Sequence, residues 1–356
     1  MTASARARAV ISRRALVDNA RRVAERVAPA QLAIVVKDDA YAHGVPEVVS
    51  TLIAAGFHRF GALDLTTALT VRELAPDSMI FTWVFGEHDD LDVALRERLD
   101  LGVSYPSMLE RVAESAKRTG QRATVHLKID TGLHRAGVLA DTWPRFVARA
   151  AELQKAGAID VTGIWTHIAE ASYERDSAAI LRFEQAIQIA QEAGLHPRVR
   201  HLAASAASFE RADARFDMVR VGAFVYGIAP GDGIGPHELG LTPALTLSTT
   251  VTHIERANGR SHAQIPIGHV HGLYSDAVNG VTVAVRGERF PIVSVDRTMA
   301  RIDVTGSSIA TGDAVHLFGD GAHSEDSLQV WADAMGTIGE EVVIRLARAA
   351  ERHYVD

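Results

Sequence analysis

The chain of 356 residues has no cysteine at all. This absence excludes disulfide bridges and metal sites built on thiolates, and we expect no metal ion. Long apolar runs are missing too, and no segment reaches the length of a transmembrane helix. Residues 1–23 carry arginines but lack the apolar core of a signal peptide, so we expect a cytoplasmic protein without a membrane anchor.

Positive charge is also in short supply. Lysine and arginine number 37 against 44 aspartates and glutamates, and the formal net charge of −7 argues against nucleic acid as the main partner. The chain is 47% hydrophobic and 23% charged, which is the composition of an ordinary globular protein. Its length suggests two domains, or one large barrel with a smaller unit.

Short apolar runs with helical patterns between them fill the first two thirds of the chain. The runs are LAIVVK at 32–37, FGALD at 60–64, MIFTWV at 79–84, LGVSY at 101–105, TVHLKID at 124–130, VTGIWTH at 161–167, VRHLA at 199–203 and MVRVGAFVYG at 218–227. Strands that alternate with helices favour parallel pairing, and eight such strands close a barrel. Residues 8–235 are therefore predicted to form a (β/α)8 TIM-type barrel.

The pattern changes after about residue 236, where strands follow one another with little helix between them. Examples are PALTLSTTVTHIERA at 243–257, VTVAVRG at 281–287 and AVHLFGD at 314–320. Such a succession predicts a separate C-terminal all-β domain over 236–356. We expect the N-terminal residues 1–12 to pair with this domain.

Lys37 stands at the end of the first apolar run. Lysine is seldom buried without a partner, so it is either a salt-bridged structural residue or a nucleophile. Chemistry in such barrels collects at the carboxyl ends of the strands, and the phosphate site is usually built from the last two strand loops. Those loops, AASAAS and RVGAF, have small residues that an anion can approach closely. A lysine that faces a phosphate cradle indicates a Schiff base with pyridoxal 5'-phosphate.

Several stretches resemble, in order, the motifs of the alanine racemase family. They are VVKDDAYAHG, VHLKIDTGLHRAGV, GIWTHIAEA, HLAASAA, DMVRVGAFVYG and the closing RHYV. The resemblance covers nearly the whole chain. It implies an α/β barrel followed by a β-domain, a homodimer whose active sites are each completed by the partner's β-domain, and a racemase that interconverts L- and D-amino acids.

The resemblance also implies roles at the cofactor. Lys37 would hold pyridoxal phosphate as a Schiff base and act as one of two catalytic bases. The phosphate would be bound by Tyr41, Ser205, the backbone of Gly222 and Ala223, and Tyr354. Arg220 would face the pyridine nitrogen. Because arginine keeps its proton in a protein, the ring nitrogen stays unprotonated and the ring becomes a weaker electron sink, which favours racemisation over transamination.

Roles at the substrate follow from the same resemblance. Arg135 would bind the carboxylate of an amino-acid substrate. Lys128 matches a position that is N-carbamylated in many family members, where it orients that arginine. His167 would support the second catalytic base through a hydrogen bond.

The second base is where the sequence departs from the family. The family motif GYADG, which carries a catalytic tyrosine, reads GHVHG at 268–272, so His269 stands at the tyrosine position and His271 at that of the aspartate. Histidine has a reference pKa of about 6.5 against about 10 for tyrosine, and it accepts a proton at neutral pH. In the turn that is MDQ in the family, Arg297 takes the methionine position, with Met299 as the alternative. Arg297 could bind a second acidic group of the substrate.

These departures leave other functions open. Loss of the tyrosine opens space beside the substrate's β-carbon, as in a pyridoxal-phosphate aldolase or lyase that acts on a β-substituted amino acid. Intact cofactor residues with an altered second base would also fit a non-catalytic homologue that binds pyridoxal phosphate. The racemase, with Lys37 and His269 as its two bases, is the leading hypothesis.

Overall fold

The structure, a computed structural model, describes residues 7–231, 233–278 and 280–356. The chain divides into two compact units. The barrel unit comprises Ala20–Ala40 and Val45–Gly222. The β unit comprises the described residues up to Asn19, the segment Tyr41–Gly44, and the described residues from Ala223 to Asp356.

Eight parallel strands form the sheet of the barrel unit. They are β2 (Gln31–Val35), β3 (Arg59–Asp64), β4 (Met79–Val84), β5 (Asp100–Val103), β6 (Ala123–Lys128), β7 (Ile159–Trp165), β8 (Val199–His201) and β9 (Met218–Val221). Their order is β8-β7-β6-β5-β4-β3-β2-β9. Backbone hydrogen bonds from Asp217 N to Arg200 O (3.0 Å) and from Arg220 N to Ala203 O (3.1 Å) join the two outer strands. The predicted barrel is confirmed.

One helix precedes these strands in the sequence and others lie between them. They are α1 (Arg13–Val27), α3 (Val45–Ala54), α4 (Leu65–Leu74), α5 (Leu91–Arg96), α6 (Pro106–Thr119), α7 (Trp143–Lys155), α8 (Tyr173–Glu192) and α9 (Ser205–Glu210), with a 3-10 turn at Ala212–Ala214. The segment α2 (Lys37–Tyr41) is a left-handed turn and not an α-helix. Helix α6 shows how the sequence sets such an element. A proline opens it, Gly120 ends it at a φ of 67°, and its buried residues recur every three or four positions.

The strands end earlier than the apolar runs predicted. Strand β2 ends at Val35 and β7 at Trp165, so Lys37 and His167 each lie two residues beyond a strand. Gly222, which was predicted inside the last strand, follows β9. The physical reason is that an apolar run reports burial and not ladder pairing: Val36 is fully buried although it lies outside β2.

The β unit is built on a nine-stranded sheet. Its strands are β1 (Arg8–Ser12), β10 (Leu245–Thr250), β11 (His253–Ala257), β12 (Arg260–Ile265), β13 (Thr282–Val285), β14 (Glu288–Val295), β15 (Ala300–Asp303), β16 (Ala314–Phe318) and β17 (Glu351–Val355), in the order β11-β12-β15-β14-β13-β16-β10-β1-β17. The shorter elements are α10 (Leu328–Ala334), α11 (Gly339–Ala347) and 3-10 turns at Ala223–Tyr226, His237–Leu239, His269–His271 and Ser275–Val278. The sheet confirms the predicted all-β fold.

The N-terminal strand belongs to this sheet. Strand β1 pairs antiparallel with β10 and parallel with β17. Residues 1–6, which were also expected to pair there, lie outside the described residues. The domain boundary at 235/236 stays a prediction. No helix in the described ranges is both long and apolar enough to span a membrane.

Candidate active site

Lys37 opens a strained turn at the carboxyl end of β2. Residues 38–42 all have positive φ, between 53° and 63°, and none of them is glycine. This left-handed conformation costs roughly 1–2 kcal/mol per residue for an L-amino acid. Tertiary contacts hold part of the turn: the Asp39 carboxylate accepts a hydrogen bond from Val45 N at 3.0 Å. Backbone strain of this kind collects at functional sites, where it fixes the direction of a side chain.

Four of the predicted site residues act on a fifth, His167. The pKa of His167 is held well below its ordinary value by desolvation first, and then by the positive charges of Arg220, Arg135, Lys128 and Lys37. His167 is therefore neutral at neutral pH. Two contacts place these groups together: Arg220 Nη2 lies 3.3 Å from Nδ1 of His167, and Lys128 Nζ donates to Arg135 O at 3.0 Å.

Lys128 is the most buried of these lysines. It is the last residue of β6, and its ammonium donates to Arg135 O at 3.0 Å and lies 4.5 Å from the centre of the Trp165 ring. Burial, with the charges of Arg220 and Arg135, lowers the pKa of Lys128 to about 8. At neutral pH a part of the amine is uncharged, which is the form that adds carbon dioxide. Carbamylation of Lys128 stays a prediction, and carbon-13 NMR in labelled bicarbonate would detect the carbamate.

Arg220 is fixed on several sides. It lies on β9, and its Nη2 donates to Thr166 O at 2.8 Å, to Leu202 O at 3.2 Å and to Nδ1 of His167 at 3.3 Å. Its Nη1 donates to Nδ1 of His201 at 2.9 Å. Burial lowers the pKa of Arg220, but a guanidinium in a protein stays protonated. Since Nδ1 of neutral His167 accepts, its proton lies on Nε2.

The loop after β6 carries Arg135. Asp130 organises this loop: its Oδ1 accepts from Gly132 N at 2.9 Å and from His134 N at 3.1 Å, and its Oδ2 contacts Nδ1 of His134 at 3.0 Å. These bonds fix the path of the loop at the residue before Arg135. The predicted carboxylate-binding arginine is thus held close to Lys128 by short-range structure.

Two further predicted residues of the barrel unit follow strands β8 and β9. Ser205 is the first residue of α9, with Ala204 as its N-cap, and Gly222 comes directly after β9. The Glu170 carboxylate accepts a hydrogen bond from Ala207 N at 2.8 Å. A carboxylate at this helix end was not predicted, although the motif GIWTHIAEA contains it.

Three predicted phosphate ligands belong to the β unit. Ala223 begins a 3-10 turn whose Tyr226 ring lies 4.7 Å from that of Tyr41. The Tyr354 hydroxyl donates to His43 O at 2.9 Å. Gly44 has a φ of 88°, and a Cβ there would clash with the Tyr354 hydroxyl, so this position requires glycine. Tyr41 and Tyr354 are therefore set by the same small cluster.

His269 and His271 lie on one 3-10 turn of the β unit with opposite hydrogen bonding. Nδ1 of His269 lies 3.0 Å from Leu273 O; a carbonyl accepts, so Nδ1 carries the proton and Nε2 has a lone pair. Nδ1 of His271 instead accepts from Gly268 N at 3.1 Å, which leaves its proton on Nε2. Of the two histidines, His269 is thus the one whose outer nitrogen can act as a base.

Arg297 lies beside His269. The turn between β14 and β15 accepts two backbone hydrogen bonds from this region, His269 N to Asp296 O and Val270 N to Arg297 O, each at 3.0 Å. Asp296 N donates a hydrogen bond to Met299 O at 2.7 Å, which closes the turn. Arg297 is exposed at the tip, while Met299 is half-buried at the base. The tip position makes Arg297 the residue that a ligand near His269 can reach.

These residues fit pyridoxal phosphate and an amino acid. The barrel unit offers a lysine amine at a strand end, a fixed arginine that only donates, and an excess of positive charge that phosphate and carboxylate groups balance. Among the described residues, no cluster of three or more histidines, aspartates and glutamates could hold a metal ion.

Sequence reasoning missed the inner residues of this site. His201 and Trp165 lie in quoted motifs, and His126 lies two positions before Lys128 on β6, so both point to the same face of the strand. That period of two is the signal that could have found His126.

Comparison with known proteins gives the same family for both parts of the chain. The family described as "Alanine racemase, N-terminal domain" matches residues 11–230, and "Alanine racemase, C-terminal domain" matches residues 248–354. The alanine racemase of Thermobifida fusca is 35% identical over 361 residues, covering 96% of this chain and 96% of that protein. That of Frankia casuarinae is 37% identical over 352 residues, covering 93% and 91%.

A solved structure agrees with these matches. The alanine racemase from Streptomyces coelicolor is 33% identical, with a TM-score of 0.95 over 99% of this chain and 98% of that chain. Together with the lysine, arginines and histidine gathered in the barrel unit, these similarities show that the chain belongs to the alanine racemase family of pyridoxal-phosphate-dependent isomerases.

Proposed function

We propose that the chain interconverts the L- and D-enantiomers of an amino acid by two-base proton transfer. Alanine is the first substrate to test, because the relatives carry that name. The observation that carries the proposal is the cluster of cationic side chains beside His167, in which Arg220 Nη2 lies 3.3 Å from the imidazole and Lys128 Nζ donates to Arg135 O at 3.0 Å. Such a site binds an anionic cofactor and a carboxylate substrate together.

Different residues of the chain bind the cofactor, bind the substrate carboxylate and move the proton. When bound, pyridoxal phosphate supplies an electron-accepting ring that acidifies the α-hydrogen of an attached amine. Lys37 Nζ binds the cofactor between turnovers and moves a proton on one face of the substrate's α-carbon. Arg220 donates toward the ring nitrogen and keeps its own proton, which favours return of the α-proton. Arg135 binds the carboxylate, supported by Lys128.

The phosphate and the second face are assigned to further residues. We assign the phosphate to Tyr41, Ser205, Tyr354 and the backbone of Gly222 and Ala223. Nε2 of His269 takes or returns the proton on the second face, because its Nδ1 is occupied by the Leu273 carbonyl. His167, which was expected to support the second base, is assigned instead to holding Arg220, because a hydrogen bond from its Nε2 proton would occupy the one lone pair of His269 Nε2. Arg297 is assigned to a second acidic group where the substrate has one.

We propose further that the enzyme is a homodimer with shared sites and that it acts in the cytoplasm. The exposed turn that carries His269 and Val270, with 58% of Val270 exposed, supports a partner at this surface. Mixing Lys37→Ala protein with His269→Phe protein should restore activity in about one quarter of the sites, since a mixed dimer contains one intact site. A fully active monomer in sedimentation experiments would contradict the shared site.

One experiment tests the function directly. Wild-type enzyme in heavy water should exchange the α-proton of both alanine enantiomers and invert them, as followed by NMR and chiral chromatography. The panel should include serine, threonine, aspartate and glutamate, because of Arg297. Release of an aldehyde without inversion would favour the aldolase or lyase, and bound cofactor without any exchange would favour a non-catalytic homologue.

A further inference from the structure

Four polar side chains, beginning with Arg220, contact one another in series inside the barrel unit. Nη1 of Arg220 lies 2.9 Å from Nδ1 of His201, and Nε2 of His201 lies 2.7 Å from Nδ1 of His126. Nε2 of His126 then lies 3.5 Å from Oδ2 of Asp100, at the outer edge of hydrogen-bonding distance. We call Arg220, His201, His126 and Asp100 the relay.

The chemistry of the two ends gives the relay a direction. Arginine has donors and no acceptor, so Nδ1 of His201 accepts and its proton lies on Nε2. That Nε2 donates to Nδ1 of His126, so the proton of His126 lies on its own Nε2, which faces the Asp100 carboxylate. Every donor therefore points from Arg220 towards Asp100, and both histidines are neutral.

Two features of strand β7 and its pairing with β6 leave space for the His126 imidazole. Gly163 on β7 faces the imidazole, and a Cβ at Gly163 would clash with Nδ1 of His126. The pairing of β6 with β7 shifts register between Val125 and His126, a bulge of the kind that re-aims a side chain. Both features make room for an imidazole at this position.

Water has little access to the relay. His126 is 1% exposed and His201 is 0% exposed. The Phe81 ring lies 5.0 Å from His126 and 5.1 Å from His201, and Trp165 stacks on His201 at 5.8 Å. In such surroundings an N–H that loses its acceptor is costly, so the protonated nitrogen of each histidine depends on the next residue of the relay.

We propose that His126 and Asp100 are positioning residues for Arg220, a role that rests on the proposed contact between Arg220 and the cofactor ring. Without His126, the Nε2 proton of His201 has no acceptor in the relay, and the tautomer with the proton on Nδ1 becomes favourable. That proton would face the N–H of Arg220 and push the guanidinium away. Asp100 fixes the tautomer of His126 in the same way and so acts on Arg220 through two rings.

The first test is the tautomers of the wild-type holoenzyme, which do not depend on the reaction. Long-range proton–nitrogen NMR, assigned by single substitutions, should show His126 and His201 with bare Nδ1 and protonated Nε2. His269, whose Nδ1 faces the Leu273 carbonyl, serves as the internal reference with the opposite pattern. A proton on Nδ1 of His126 or His201 would overturn the relay.

The second test separates positioning from general structure. His126→Phe should lower kcat on the order of 10-fold, as loss of a supporting partner commonly does, and should shift the absorption of bound pyridoxal phosphate with KM nearly unchanged. His126→Gln, whose amide can accept and donate in series, should recover most of kcat. Thr82→Val, a buried change on β4 outside the relay, is the control and should resemble wild type.

Equal kcat and spectra in His126→Phe and Thr82→Val would overturn the positioning role, even with the expected tautomers. If His126→Phe fails to fold, Asp100→Ala replaces it, because this residue begins β5 and is only partly buried. It should mix the tautomers of His126 and lower kcat, and unchanged values would overturn the proposal. If wild type inverts no substrate, the proposed function fails, and the spectral shift still decides the role of the relay.

Discussion

Replacing Lys37 with alanine is expected to abolish the visible absorption of covalently held pyridoxal phosphate and to remove racemisation. In the proposed function, the lysine is the group through which the cofactor attaches and also the base on one face of the substrate. Loss of the base alone costs about 10²- to 10⁴-fold. Absorption spectra and mass spectrometry after borohydride reduction measure the attachment separately from the rate.

Lys128 is the matched control for this prediction. It is a second lysine of the same site, it is more buried than Lys37, and burial lowers its pKa to about 8. Its ammonium, however, is directed to the Arg135 carbonyl and the Trp165 ring. Lys128→Met should therefore keep the absorption band, although it should weaken substrate binding through Arg135.

The scarcity of lysine makes the experiment decisive. The chain has four lysines, and the other two, Lys117 and Lys155, are exposed on helices α6 and α7. After borohydride reduction, a peptide map can find the cofactor on any of four lysines, and only Lys37 and Lys128 lie in the candidate site. Cofactor found on Lys128, or on either exposed lysine, would show that the assignment of Lys37 is wrong.

The order of the elements could be predicted from the sequence because buried segments are visible in it as apolar runs. All eight apolar runs correspond to barrel strands, and the loss of helical pattern near residue 236 precedes strands β10 to β17 of the β unit. The ends of the strands were less accurate. Val36 is as buried as Ala33 and Ile34 of β2, so composition alone cannot say where the strand ends.

The turn after Lys37 could not be predicted from local preferences. Asp38, Ala40 and Ala42 all adopt the left-handed conformation, which such residues avoid in short peptides. The rest of the fold enforces this conformation. The resemblance implied that Lys37 is the cofactor lysine, but the left-handed turn that follows it is visible only in the structure.

The relay was equally hidden. His126 and His201 are separated by 75 positions and meet only because β6 and β8 both flank β7 in the closed sheet. A buried histidine in an apolar strand gives no sign of its partner. The same holds for the tautomer of His269, which is set by a carbonyl four residues away on an irregular turn.

Replacing His269 with phenylalanine is expected to lower racemisation by about 10²- to 10⁴-fold, equivalent to about 3–5 kcal/mol of activation free energy. The substitution keeps a ring and removes the Nε2 lone pair, so attachment of the cofactor to Lys37 should be unchanged. The enantiomer that Lys37 deprotonates should still exchange its α-proton in heavy water, whereas the other should not. NMR of each enantiomer, with the absorption spectrum as a check on cofactor content, measures this split.

His271→Phe is the matched control, because it changes a histidine on the same turn whose lone pair is already used by Gly268 N. Its effect should stay well below about 10²-fold, the lower end of what a general base contributes. Equal losses in the two variants would mean that the turn, and not the base, matters. Inversion that survives in His269→Phe would exclude His269 as the second base. If His269→Phe instead loses inversion and exchanges the α-proton on one face alone, His269 is the second base. This is the expected result, because the Leu273 carbonyl holds the proton on Nδ1 and leaves the lone pair on Nε2.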